Sequence, residues 1–352
     1  MIVTVTPNPS LDLTYRLSAD SPGLADLSIE VHRADSVNLE ASGKGVNVSR
    51  ALTLAGRPSP AMLFAGGDTG HQLLELLAAE RVPYRTVVQA GPTRVNTTVL
   101  RPGGPTTKVN APGSRVTTEE IDNLVVAVDN ELVTLRSETV RGQSPSDDWL
   151  LICGSMPPGV NADTLIGRLV STAHARGWRV AVDSSGAGLS AGLTAGADLL
   201  APNAAELNAV RPGPPAVGLD AIVLAAGEVS RERGCELLVS LGPDGALWTD
   251  GRQARHARGP VVVPVNTAGA GDALLAGWFS ADAGVDPAVR LATAVAWGTA
   301  ACLSITTVAT TATGYGTPFT DSVLVVDRSA DLAGTTTGST GTATIGPSGA
   351  PP

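Results

Sequence analysis

Asn266-Thr267-Ala268-Gly269-Ala270-Gly271-Asp272 lies between an apolar run, Val261 to Val265, and an Ala/Leu-rich stretch with helical spacing. The pattern predicts a strand, a turn of small residues, and a helix that begins close to Asp272. Glycines in such a turn let main-chain N–H groups approach a ligand, and a helix start adds partial positive charge. A carboxylate there can accept a proton while the amides meet developing negative charge, which suits phosphoryl transfer onto an alcohol. An Asp that merely caps its helix fits the same seven residues equally well.

Repeated strand–helix alternation surrounds this turn. Ile2 to Thr6, Ala61 to Ala65, Trp149 to Cys153, Arg179 to Asp183, Asp198 to Ala201 and Glu236 to Leu241 form short apolar runs. Helical patterns intervene from Lys44 to Ala55, Thr69 to Ala79, Thr118 to Leu135, Asp163 to Arg176 and Asp220 to Arg233, with another after Asn203. This order predicts an α/β fold, a Rossmann-like parallel sheet with helices on both faces and ligands at the carboxyl ends of the strands. The segments near 11–39 and 85–109 are shorter and partly polar, and are expected to form a small β-sheet lid. Pro102-Gly103-Gly104-Pro105 reads as a hairpin loop within it. Helices are also expected over 272–283 and 287–303, with a last strand at Val323 to Val326. A single domain over 1–327 follows, and the Thr/Gly/Ser-rich residues 328–352 read as a disordered tail.

Composition narrows the function classes. Across 352 residues the net charge is −9, against a nucleic-acid surface, and no basic run suggests a membrane one. Aromatics make up only 3%, so the core must rest on Ala, Val and Leu. Lys44 and Lys108 are the only lysines against 22 arginines, a hint that these two positions need a compact ammonium. Cys153, Cys235 and Cys302 are too few and too dispersed for a zinc site or a disulfide scaffold. With no secretory pattern at Met1 to Pro7 and no apolar run of membrane length, a cytoplasmic protein is expected.

Several stretches together resemble the pfkB (ribokinase-type) family of carbohydrate kinases, in particular its 1-phosphofructokinase and tagatose-6-phosphate kinase branch. Thr6-Pro7-Asn8-Pro9-Ser10-Leu11-Asp12 resembles the start of that branch. Ser42-Gly43-Lys44-Gly45-Val46-Asn47-Val48 resembles the first family signature, and 266–272 the second. Between them, in family order, stand Thr93-Arg94-Val95-Asn96, Asn110-Ala111-Pro112-Gly113, Gly154 to Gly159, Pro202 to Leu207 and Ser240 to Gly245.

The resemblance implies Asp272 as the base, with Gly269, Ala270 and Gly271 supplying amides to the transferring phosphoryl group. It implies Asn203 and Glu206 as holders of magnesium on ATP through water, with Ser240, Gly242, Pro243, Asp244, Gly245 and Thr267 along the nucleotide. Asp12, Gly43, Lys44, Asn47 and Asn110 would bind the sugar, with Arg94 and Lys108 reaching from the lid. Fructose 1-phosphate is the expected acceptor, then tagatose 6-phosphate and fructose 6-phosphate. ATP and Mg2+ are the implied cofactors, K+ is a further candidate, and a homodimer through the lid is expected.

Independently, a phosphorylated substrate needs cations in an otherwise acidic chain, and Lys44, Arg94 and Lys108 lie in or beside the motif segments. Solvent-facing lid charge accounts for Arg94 and Lys108 equally well. A helix cap with a first-turn acid accounts for Asn203 and Glu206. A sugar-phosphate-binding protein without catalysis is the second function class; the intact Gly269 to Asp272 stretch argues against it.

Four departures stand out: Ser42 for a glycine, Asn266 for the usual Asp, Ala111 for Glu, and Ala201 where many members carry Lys. Gly188-Leu189-Ser190-Ala191-Gly192 has a nucleophile-elbow spacing but no strand running into its serine, so a loop is expected. No Walker A loop surrounds Lys44. His32, His71, His174 and His256 read as surface residues.

Overall fold

The computed structural model describes residues 1–18, 31–101, 106–138, 148–282, 284–308 and 317–333. The chain opens with strand β1 (Ile2–Thr6), leaves it for β2 (Ser10–Leu17) and β3 (Ala34–Ser42), and returns through helix α1 (Lys44–Leu54). Then come β4 (Ala61–Ala65), α2 (Gly67–Ala79) and β5 (Tyr84–Val88), followed by β6 (Arg94–Leu100), β7 (Thr107–Val109) and α3 (Thr118–Glu138). The second half runs through β8 (Trp149–Cys153), α4 (Ala162–Ala175), β9 (Arg179–Asp183), α5 (Ala187–Ala195), β10 (Leu199–Leu200), α6 (Ala204–Val210) and α7 (Leu219–Arg233). It closes with β11 (Glu236–Ser240), β12 (Ala246–Thr249), β13 (Ala254–Arg258), α8 (Ala270–Ser280), α9 (Pro287–Cys302) and β14 (Leu324–Asp327).

Ten strands form the main sheet in the order β14-β13-β12-β11-β10-β9-β8-β1-β4-β5. From β5 to β11 neighbours are parallel, and β12, β13 and β14 add antiparallel pairs. Both faces are covered, which is why these strands read as nearly unbroken apolar runs. In β8, Leu150 and Ile152 pack on one face with α3, α4 and α7, while Trp149, Leu151 and Cys153 pack on the other with α1, α8 and α9. Aromatics are few but concentrated on the second face: Trp149 meets Phe279 edge-on at 5.0 Å, and Trp248 stacks on Trp278 at 5.8 Å.

A separate four-stranded sheet, in the order β3-β2-β6-β7, is the lid. Asp12 pairs with Glu40 on one side and Asn96 on the other, so the even positions of this sheet carry polar groups toward the cleft.

Several expectations are corrected. Tyr84–Val88 is not a lid strand: it pairs in parallel with β4 and forms the edge of the main sheet, because α2 carries it across in an ordinary strand–helix–strand crossover. Val261 to Val265 is not a strand. Pro260 and Pro264 lack ladder donors, and Val261 and Val263 are exposed. The strands that precede the turn, β12 and β13, were not expected. His256 is consequently buried in β13, with Nε2 2.8 Å from the Asp244 carbonyl, rather than at the surface. Gly188 to Gly192 lies within helix α5, not a loop.

Beyond Asp327, where disorder was expected, Ser329–Ala333 makes a 3-10 turn that packs on α7, with Leu332 buried. Residues 334–352, the predicted loop 102–105 and the connection 139–147 lie outside the described residues. Among the described residues the three cysteines are unpaired, and no helix is long and apolar enough to cross a membrane.

Candidate active site

A cleft of about 440 Å³ lies between the lid and the carboxyl ends of the main-sheet strands. Its inner end is built by two helix starts. Gly43 (φ 117°) lets β3 turn sharply into α1, which places Lys44 and Asn47 on the cleft wall. Gly269 (φ 79°) does the same for α8, and the Thr307 carbonyl fills the space where a Cβ would stand. The first helical bond of α8 runs from the Ala273 N–H to the Gly269 carbonyl at 2.8 Å. The N–H groups of Ala270, Gly271 and Asp272 therefore precede the helical ladder.

Asp272 is buried, and its Oδ2 accepts from Asn47 Nδ2 at 2.7 Å. Burial, reinforced by the Asp183 charge, pushes its carboxyl up to about 6, against the opposing pull of Lys44 and the Asn47 bond. Lys44 Nζ donates to Asp183 Oδ1 at 2.7 Å, and that carboxylate holds the ammonium above the usual lysine range. A carboxylate that ionises near neutrality, beside helix-start amides that have no helical acceptor and a fixed ammonium, can take a proton from a hydroxyl while an anion is held opposite.

On the lid side, both oxygens of Asp12 are engaged, and Oδ2 keeps acceptor capacity toward the cleft. Oδ1 accepts from Ser10 Oγ (2.8 Å) and Asn96 Nδ2 (3.0 Å), and Oδ2 accepts from Ser42 Oγ (2.8 Å). Arg94 donates to three main-chain carbonyls, of Asn8 (2.8 Å), Ala111 (2.9 Å) and Pro9 (3.4 Å). It thereby ties the β1–β2 loop to the segment after β7 while facing the cleft. Lys108 and Asn110 also line the cleft and are exposed.

Asn203 and Glu206 form a reciprocal capping box on α6: Asn203 Oδ1 accepts from the Glu206 N–H and Glu206 Oε2 from the Asn203 N–H, each at 2.9 Å. Both still face the cleft, as do Ser240 and Thr267. Gly242, Pro243, Asp244 and Gly245 do not line it. They form a 3-10 turn and its end between β11 and β12, and Gly245 is pressed against the Ala257 main chain. Ala270 does not line the cleft either, although its neighbours Gly269 and Gly271 do. Among the described residues no group of three or more His, Cys, Asp or Glu could hold a metal ion on its own.

Asp183 was missed by the sequence reading, and so were Asn8, Ser42, Asn96 and Thr307, all of which line the cleft. Asp183 did carry a signal: an acid at the carboxyl end of a buried apolar strand, where parallel sheets place ligands.

Residues 5–313 match the model of the pfkB family of carbohydrate kinases. The chain is 35% identical over 282 residues to the 1-phosphofructokinase of Haloferax volcanii, covering 80% of this chain and 84% of that one. It is 34% identical over 270 residues to the ATP-dependent 6-phosphofructokinase isozyme 2 of Escherichia coli, covering 75% and 82%. The crystal structure of Escherichia coli phosphofructokinase-2 in complex with substrates and products superposes with a TM-score of 0.77 at 31% identity, over 89% of this chain and 96% of that one. The chain belongs to the pfkB family of carbohydrate kinases, phosphotransferases that act on an alcohol.

Proposed function

We propose that this enzyme transfers the γ-phosphoryl group of ATP to the C6 hydroxyl of fructose 1-phosphate, giving fructose 1,6-bisphosphate. The observation that carries the reading is Asp272: a buried carboxylate in the first turn of α8, facing the same cleft as Lys44, Arg94 and Lys108. In this reading Asp272 takes the hydroxyl proton, and the N–H groups at Gly269, Ala270 and Gly271 hold the transferring phosphoryl oxygens. Asp12, Gly43, Asn47 and Asn110 orient the sugar, and Lys44, Arg94 and Lys108 supply the cations its phosphate needs. Ser240 and Thr267 lie along the nucleotide.

ATP would carry Mg2+, which neutralises phosphate charge during transfer. One carboxylate, Glu206, beside the Asn203 amide fits an ion that keeps most of its waters and leans on phosphate oxygens. A K+ requirement is a further element of the proposal: phosphofructokinase-2 of Escherichia coli has been crystallised in complex with potassium. So is a homodimer through the lid, whose outer face carries Leu13, Tyr15, Val37, Leu39, Val95 and Val109, all half-buried or exposed. A tetrameric inhibited form is known for that same relative. Sedimentation as a monomer at micromolar concentration would count against the dimer.

Fructose 6-phosphate is the second reading, favoured by the near-equal identity to the 6-phosphofructokinase; tagatose 6-phosphate is the third. ADP release measured with the three phosphosugars, with and without K+, decides among them. Fastest turnover is expected with fructose 1-phosphate; faster turnover of another sugar, or release that needs no sugar, overturns the reading.

A further inference from the structure

Glu40 stands near the end of lid strand β3, with its side chain buried. Arg50 of α1 lies beside it, Nη2 3.3 Å from Oε1. Yet Arg50 has better partners. Nε and Nη2 meet both oxygens of Glu80 at 2.6 and 2.7 Å, and Nη1 donates to the Ala41 carbonyl at 2.8 Å. Burying a second carboxylate against a cation already satisfied is costly, and burial pushes the Glu40 carboxyl above its ordinary value despite Arg50. The cost needs a return elsewhere in the structure.

That return lies at Oε2, which accepts from the Thr307 N–H at 3.2 Å, 267 positions along the chain. Thr307 belongs to the segment 303–308 that follows α9; it lines the cleft, and its carbonyl sits against Gly269. A second anchor holds the same segment: Asn266 Nδ2 donates to the Ile305 carbonyl at 3.1 Å, while Asn266 Oδ1 accepts from the Ala268 N–H at 3.0 Å. The segment is therefore pinned once from the turn before α8 and once from the lid strand that runs on into Gly43 and Lys44.

We propose that Glu40 is a positioning residue for the turn at the start of α8: through the Thr307 N–H it fixes 303–308 against Gly269, so that the root of the lid and the α8 amides hold one geometry. The role in catalysis rests on the kinase reading; the mechanical role does not.

The test uses full-length Glu40→Ala and Glu40→Gln, steady-state kinetics with ATP and fructose 1-phosphate, and hydrogen exchange followed by mass spectrometry. In Glu40→Ala, kcat should fall at least tenfold with KM for fructose 1-phosphate within twofold, and peptides spanning 265–275 and 303–308 should exchange at least tenfold faster. Glu40→Gln keeps the volume but must turn its NH2 toward either Thr307 N–H or Arg50, both donors. It should lose at least threefold in each measure, and it decides the matter alone if Glu40→Ala does not fold. Wild-type kcat and exchange in Glu40→Gln, or lost turnover with both segments as protected as in the wild type, would overturn the proposal. Faster exchange spread evenly over the chain would also overturn it, by marking a purely structural role. Absence of wild-type turnover on every phosphosugar would refute the kinase reading, and the exchange measurement would still judge Glu40.

Discussion

Lys44 Nζ lies 2.7 Å from Asp183 Oδ1, joining the first turn of α1 to the carboxyl end of β9. The pair sets the charge balance around Asp272, because Asp183 raises the affinity of that carboxyl for a proton and Lys44 lowers it. Other charges facing this region are Asp12 from β2 and Glu206 from α6, the second acting on Lys44, while the Cys153 thiol of β8 stays neutral because burial pushes it well up.

Asp183→Asn removes the negative charge and leaves Asp272 as the carboxylate that acts most strongly on Lys44. Both changes favour ionised Asp272. The acid limb of kcat/KM against pH should move to lower pH, and kcat at neutral pH should fall about tenfold as the base weakens. Lower activity with an unmoved limb would show that Asp183 does not act through Asp272.

Asp272 itself yields two linked outcomes. If Asp272 is the base, as proposed, it must lose its proton to work, and with its carboxyl near 6 wild-type kcat/KM should fall as pH drops through about 6. Asp272→Asn should lower turnover by roughly 10²- to 10⁴-fold. The same substitution should raise Tm at pH 7.5. A carboxyl raised from 3.8 to about 6 in the folded state makes the native protein bind more protons than the unfolded chain across that window. Its contribution to stability thus declines as pH rises from 3.8 to about 6, and the variant escapes that decline. The Tm advantage should vanish near pH 4. Calorimetry at the two pH values checks the sign.

How much of this was legible follows from where the signals sit in the chain. The stretch 266–272 is local: its glycines, its Asp and its helix start are adjacent, so these residues alone pointed to the turn, while leaving a catalytic and a capping Asp equally open. Asp183 and Glu40 have no such neighbourhood. Each acquires its role from a partner 139 or 267 positions away, a relation no local spacing encodes. The misread strand at Val261 to Val265 shows the limit of apolar content as a signal, since Pro260 and Pro264 remove the donors a ladder requires. The strand near Arg85 to Val88 was mistaken for lid because the edge of a large sheet is as short and partly polar as a strand of a small one; only the pairing with β4 separates them.

Glu206 serves the capping box of α6 and faces the cleft, and one substitution separates the two roles. Glu206→Gln keeps a side chain that completes the same box, so Tm should stay within about a degree of the wild type. If Glu206 also holds magnesium through water, the Mg2+ concentration for half-maximal activity should rise several-fold. Titration of activity with Mg2+ at saturating ATP reads this directly; an unchanged midpoint would leave Glu206 a helix cap alone.

Gly269 and Gly271 separate the building of the turn from its use. Gly269 has φ 79°, and a Cβ there would overlap the Thr307 carbonyl oxygen. Gly269→Ala therefore carries the left-handed backbone cost of roughly 1–2 kcal/mol and displaces 303–308 as well, lowering Tm and activity together. Gly271 lies within α8 with nothing within 4 Å of a Cβ, and it lines the cleft. Gly271 is not among the positive-φ glycines, and alanine at a backbone it can adopt stabilises by roughly 0.4–1 kcal/mol relative to glycine, so Gly271→Ala should leave Tm unchanged or raise it. If the α8 amides hold the transferring phosphoryl group, as proposed, its methyl group would intrude on that group's approach, and kcat should fall at least tenfold on a fully folded protein. Equal activity in wild type and Gly271→Ala would place the transferring group elsewhere in the cleft.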